Sequence, residues 1–199
     1  MTNEIILAGK VVDKPTFSHE SFGEKFYRFS ISVMRNSGTE DVLVCTIPEI
    51  LLVDVIDKTR VKVRGQVRSR NEIDEGVRRL CITVFVMEVM DDRGKDENSV
   101  VISGAICTRP IHRRTPLGRE ITDFMLASNR ETGASDYIPC VTWGRSSHRV
   151  SEMCVGNYID IKGRLQSRTY EKTTDDSIIV RTVYEISVGS FRCEYKEQE

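Results

Sequence analysis

No charge of one sign dominates this 199-residue chain: 29 Lys+Arg stand against 30 Asp+Glu, a formal net charge of −1. A global basic signature for a polyanionic partner is therefore missing, and any charge used for binding has to be local. Aromatic residues make up only 7%, and tryptophan occurs once. No apolar run is long enough to cross a bilayer, and Met1 is followed at once by polar Thr2-Asn3-Glu4, so neither a membrane span nor a signal peptide is expected. The six cysteines contain no C-x-x-C pair and lie mostly in apolar runs, which argues against a metal knot or disulfide framework and for reduced, buried thiols in a cytoplasmic protein. His19, His112 and His148 are scattered, with no Cys, Asp or Glu at metal-ligand spacing, and no G-x-x-x-x-G-K-[ST] loop is present. No metal, cofactor or catalytic set is expected, and the chain reads as a non-enzyme.

What is there is a repeat. Asn3, Gly9, Pro15, Gly23, Phe29, Arg35, Gly38, Asp41 and Cys45 recur 95 residues later as Asn98, Gly104, Pro110, Gly118, Phe124, Arg130, Gly133, Asp136 and Cys140. After a small slip, the run 61–70 (VKVRGQVRSR) is answered by 159–168 (IDIKGRLQSR), now 98 apart. Solenoid units run to about 20–50 residues, so this period is that of a small domain. Two halves of this size each bury a modest core and are expected to lean on each other or on a partner.

Strand patterns fill each copy. An apolar opening run ends at Pro15 or Pro110, and a polar loop reaches Gly23 or Gly118. An alternating run, a short Gly-containing connection and a third run follow, as in a hairpin. Next comes a short helix: in copy one it starts near Pro48, and in copy two Ser146 or Ser147 is the expected cap. A fourth and a fifth strand close each copy, joined by polar loops at 71–76 and 171–177. The order predicts an all-β chain of two tandem OB-folds, five-stranded Greek-key barrels each with a short helix between strands 3 and 4. Periodicity alone also fits a sandwich. The expected division is 1–92 for the first OB-fold, 93–97 for a linker, 98–192 for the second and 193–199 for a short tail.

The fourth strands carry the most chemistry. Side chains two apart share a face, so Lys62, Arg64, Arg68 and Arg70 line the outside of copy one, and Lys162, Arg164 and Arg168 that of copy two. Such a row attracts phosphates; it is also what a solvated strand face looks like. The rings are uneven. Tyr137 and Trp143 share the face of the third strand opposite Ile138 and Cys140, and Tyr170 ends the basic row, whereas copy one has Val42, Pro48 and Glu72 in those places. Exposed rings stack on unpaired bases; a sole tryptophan is also a common core residue. Charge leans the same way: residues 98–192 hold 13 Lys+Arg and 10 Asp+Glu, and residues 1–95 hold 15 of each. The stretch from Arg109 to Arg119, with Arg113 and Arg114 and two prolines, is either a phosphate-gripping loop or a mobile surface loop. Arg130 completes the set of candidate phosphate- and base-contacting residues.

Copy two resembles the bacterial single-stranded DNA-binding protein family, whose relatives include primosomal replication protein subunits. The matching stretches are 102–110, 136–144 (DYIPCVTWG) and 156–170 (GNYIDIKGRLQSRTY). The resemblance covers about residues 98–188, and reaches 3–89 only through the repeat. It implies sequence-tolerant, non-catalytic binding of single-stranded DNA in replication, repair or recombination, with base-stacking rings at Tyr137, Trp143 and Tyr170. It also implies assembly into four OB-folds, here a homodimer, in a bacterial cytoplasm at the nucleoid, on a chromosome, phage or plasmid. Two departures stand out. The stretch 193–199 lacks the acidic-aromatic tip with which the family recruits replication and repair proteins, and copy one lacks the three rings, which suits an architectural role. The alternative is a protein–protein adaptor of a replication or mobile-element complex, built on OB-folds and binding DNA weakly.

Overall fold

The computed structural model describes residues 2–74, 76–174 and 177–194. The first half contributes β1 (Asn3–Val11), β2 (Thr16–Ser21), β3 (Glu24–Met34), β4 (Glu40–Pro48), α1 (Glu49–Leu52), β5 (Arg60–Asp74) and β6 (Val77–Met90). The second contributes β7 (Glu97–Ile106), β8 (Ile111–Arg114), β9 (Glu120–Asn129), β10 (Ser135–Trp143), α2 (Arg145–Ser151), β11 (Tyr158–Thr174) and β12 (Ser177–Glu194). In each half the strands close into a barrel. β1 pairs with both β3 and β5, β3 with β4, β5 with β6, and the parallel pair β4–β6 meets at Cys45↔Val84. The second half repeats this, with its parallel pair β10–β12 at Cys140↔Ile186. These are two OB-folds.

Alternation builds the core. Leu43, Cys45 and Ile47 on β4 and Ile138 and Cys140 on β10 are buried, as are Val61, Val63 and Val67 on β5 and Ile159, Ile161 and Leu165 on β11. Burial pushes the thiols of Cys45 and Cys140 far above their ordinary range, so both are inert. Cys154, however, is exposed.

The expected pattern is refined in four places. Each half has a sixth strand: β2 pairs with β3 and β8 with β9, so Ile111–Arg114 within the segment 109–119 forms the arm of a hairpin, with 115–119 as its turn. The polar segments at 71–76 and 171–177 are mostly strand, because β5 and β11 run on to Asp74 and Thr174. Helix α1 starts directly after Pro48, as expected. Helix α2 starts from Gly144 at φ 56, a left-handed turn that frees the chain from β10 before either serine. The Ser147 hydroxyl is spent elsewhere, 2.9 Å from Thr122 Oγ1.

Several repeated glycines are not turn residues. A Cβ on Gly104 would lie 2.3 Å from the Ala127 carbonyl oxygen where β7 and β9 close the barrel, and one on Gly9 2.1 Å from that of Ser32. Backbone cannot yield there as a side chain could. Gly104→Ala is expected to cost about 1–3 kcal/mol of stability by overpacking, read from urea unfolding. A loss below about 0.5 kcal/mol, the range of an ordinary surface change, would contradict it.

The two barrels join through β1 and β7, antiparallel with Asn3↔Ile102 and Leu7↔Asn98 in register. Moving Asn3 forward by 95 residues and Ile102 back by 95 gives the pair Asn98↔Leu7, so the contact is self-complementary in the way of a twofold dimer. The repeated Arg and Asp then lock the seam reciprocally. Asp41 accepts from Arg35 Nε at 2.6 Å and from the Ser167 N–H of the other barrel at 2.7 Å. Asp136 accepts from Arg130 Nε at 2.8 Å and from the Ser69 N–H at 2.6 Å. Arg35 and Arg130 each also donate to the carbonyl of that same serine, at 3.2 Å.

Candidate nucleic-acid interface

Parity on β10 turns two rings outward. Ile138 and Cys140 are buried, while Tyr137 is 48% and Trp143 38% exposed. The Trp143 indole N–H donates to Ser187 Oγ on β12 at 3.3 Å, which anchors the ring edge. Trp143 lines an open groove of ≈ 870 Å³ with Arg119, Arg164, Gln166 and Arg168, and the first barrel adds Arg35, Ser37 and Thr39 to the same groove. Tyr137 lies six residues back along β10, about 20 Å at strand rise, at the seam where its N–H donates to Ser69 Oγ. Tyr170, 39% exposed, lines a different groove, ≈ 890 Å³, with Glu72 and Leu80 of the first barrel and Pro139 and Tyr184 of the second. The three rings do not form one platform: Trp143 shares its groove with Arg119, Arg164 and Arg168, and Tyr170 shares its own with Arg79 and Arg181.

The cations of β11 are available. Among the described residues Lys162, Arg164 and Arg168 form no salt bridge, and neither do Arg109 and Arg119. Arg164 donates to Gln166 Oε1 at 3.1 Å, and its Nε is buried without a hydrogen-bond partner. Burial, then the neighbouring Arg35 guanidinium, hold the Arg164 pKa below the ordinary arginine range, with Asp41 opposing. A partly desolvated cation beside another cation is stabilised by an arriving anion. On the hairpin, Arg113 and Arg114 pair with Asp123 and Glu120.

The first barrel differs. Lys62 pairs with Glu97 at 2.7 Å, Arg64 with Glu88 at 2.7 Å, Arg68 with Asp136 at 3.2 Å, and Arg70 with Glu72. The row expected to meet phosphates is therefore neutralised within the chain, by carboxylates that are mostly remote in sequence. Arg130 is likewise committed to Asp136 at the seam.

The sequence reading also missed rings. Phe85 lies between buried Val84 and Val86 and so faces out of β6, a signal that parity alone offered. The two parallel pairings put Phe85 where the second barrel has Ser187. Phe85 tilts against Phe26 with centroids 5.9 Å apart, His19 stacks on Phe26 at 5.0 Å, and the Arg68 guanidinium sits 5.9 Å over Phe85. Copy one is not short of rings there; its rings are engaged with one another. Nor are the histidines all scattered: the fold gathers His112 and His148, with Glu120, beside α2.

Comparison with known proteins gives a consistent picture. Residues 97–193 match the model of the "Single-strand binding protein family". Single-stranded DNA-binding protein A of Bacillus subtilis (strain 168) is 36% identical over 98 residues, 46% of this chain and 57% of that protein. Single-stranded DNA-binding protein 1 of Staphylococcus aureus (strain COL) is 36% identical over 93 residues, 43% of this chain and 56% of that one. The chain thus matches little more than half the length of these relatives. The crystal structure of wild-type single-stranded DNA binding protein from Thermus aquaticus is similar over 100% of this chain and 95% of its own, with a TM-score of 0.73 and 17% identity, a likeness of fold.

Proposed function

We propose, from the match of residues 97–193 to the single-strand binding protein family, that this chain is of that family and binds single-stranded DNA without catalysis and with little regard for sequence. The observation that carries this is the groove of the second barrel, where the sole tryptophan stands among Arg119, Arg164 and Arg168, none of them paired to a carboxylate among the described residues. Trp143 stacks on a base, and the three cations take phosphates. In this reading the first barrel is the architectural half. Its basic row is internally neutralised and its rings pack on one another, while it supplies the seam and one wall of the groove. Two chains would supply four barrels, the assembly that the resemblance implies, and a solution mass twice the 22.7 kDa of one chain tests this. The DNA so held is protected or presented in replication, repair or recombination. No helix among the described residues is long and apolar enough to cross a membrane.

Titration with oligo-dT, read by Trp143 fluorescence, tests the function. Quenching is expected. For single strands, log affinity falls with log salt by about 0.7 per phosphate neutralised, so three groove cations predict a slope of about −2. Arg164→Gln should flatten it by about 0.7. An unchanged fluorescence signal, with no gel shift at low salt, would exclude this function and leave the adaptor reading.

A further inference from the structure

We propose that His112, Glu120 and His148 form a site for one divalent transition-metal ion of the zinc class. One ligand atom from each residue lies within 4.8 Å of the others. The residues come from three elements, β8, the start of β9, and α2, so only the fold unites them. The two imidazole rings stand 4.9 Å apart, and His148 Nε2 reaches Glu120 Oε2. Two imidazoles and a carboxylate are the donor set that zinc and its neighbours accept, with further positions left for water.

The surroundings are built in the manner of a metal site. Metal-bound histidines are oriented by a hydrogen bond to their second ring nitrogen. Here His112 Nδ1 lies 3.1 Å from Thr122 Oγ1 and 3.0 Å from Ser147 Oγ, and both hydroxyl residues are fully buried. These contacts assign Nε2 of His112 to the metal. Arg114 holds Glu120 Oε1 at 3.0 Å and leaves Oε2 toward His148. Zinc bonds of about 2.0–2.1 Å at tetrahedral angles set donors about 3.3 Å apart, so His148 Nε2 and Glu120 Oε2, now in hydrogen-bond contact, part slightly to admit the ion while His112 draws in. The His148 side chain, 59% exposed, has room to move.

The repeat supplies a control within the chain. The first barrel keeps the scaffold residues, yet the positions 95 before His112, Glu120 and Thr122 hold Phe17, Lys25 and Tyr27, and α1 carries no histidine. The cluster is thus a property of the second barrel, not of the shared fold. A bound ion would tie the β8–β9 hairpin, with Arg113 and Arg114, to α2 beside the DNA groove.

The test uses the full chain, reduced, with Zn²⁺ in competition with a chromophoric chelator, and Co²⁺ as a spectroscopic substitute. One tight ion per chain is expected. The His112→Asn/His148→Gln double variant should lose it, and Glu120→Gln, which leaves both rings in place, should weaken it by at least about tenfold. The Co²⁺ complex should show visible ligand-field absorption without thiolate charge transfer, since no cysteine takes part. Zn²⁺ should raise the melting temperature of the wild type and not of the double variant. Thiolate charge transfer, an unchanged stoichiometry in both variants, or no binding tighter than that of the double variant would overturn the site. DNA titration of the metal-free chain is scored separately, so loss of one proposal leaves the other standing.

Discussion

Asp136→Ala is expected to destabilise the protein by about 3–5 kcal/mol, the cost of removing one partner from a buried ion pair. The carboxylate is fully buried, with no exposed side-chain surface. It accepts from Arg130 of its own barrel and from the Ser69 N–H and Arg68 Nη1 of the other, the last at 3.2 Å. Truncation strands two partly buried guanidinium groups and a backbone N–H in the seam. Asp41→Ala should cost less, because the matching position to Arg68 holds neutral Gln166 and, among the described residues, Asp41 receives only Arg35 and Ser167. Burial works against ionisation of Asp136, but Arg130, the Ser69 N–H and Arg68 outweigh it and hold its pKa below the usual carboxylate range. A depressed carboxylate contributes stability that is complete above its unfolded pKa, about 3.9, and lost as pH falls through the folded value. Urea unfolding should therefore show the wild type losing stability below about pH 4, and Asp136→Asn should lack that component. A cost under about 1 kcal/mol, within the ordinary surface range, or an acid limb identical in Asp136→Asn, would show that the seam is held by β1–β7 pairing alone.

That clamp marks the boundary of what the residues disclose in order. The repeat, the strand alternation, both helices and the outward aim of Tyr137 and Trp143 are legible because they depend on spacing of two or on local turn chemistry. The reason Arg35, Asp41, Arg130 and Asp136 recur is not legible in that way. Their partners Ser167 and Ser69 lie in the opposite copy, and the pairing exists only once β1 meets β7. The same limit applies to the basic rows. Arg64 and its counterpart Lys162 look alike in sequence, but Glu88 and Glu4 reach Arg64, whereas no carboxylate forms a salt bridge with Lys162 among the described residues. Gly104 reads as a strand glycine until closure brings the Ala127 carbonyl against it. Phe85 is the instructive omission: it stands in plain alternation between Val84 and Val86, and the missing step was to ask what an outward ring on β6 touches.

Trp143→Ala is expected to weaken binding of oligo-dT by about 1–3 kcal/mol, the range for loss of one base-stacking ring, or roughly 5- to 150-fold at 1.4 kcal/mol per decade. The variant removes the only tryptophan, so binding is read by anisotropy of a labelled oligonucleotide. The argument rests on how the two barrels dispose of their rings. Trp143 is anchored at one edge by Ser187 and stays over a third exposed, among cations that no internal carboxylate neutralises. Phe85, in the place of Ser187, is covered by Phe26 and by the Arg68 guanidinium, which is itself tied to Asp136. For a base to stack on Phe85 it would have to displace Arg68 from both the ring and the clamp, and that cost cancels what stacking returns. Phe85→Ala and Pro48→Ala should accordingly change affinity by less than about threefold, under 1 kcal/mol at the same conversion. Tyr170→Ala should fall between, since its groove is separate and a longer oligonucleotide is needed to reach both. Equal losses from Trp143→Ala and Phe85→Ala would mean that Arg68 leaves the clamp on binding and that the two barrels share the strand equally.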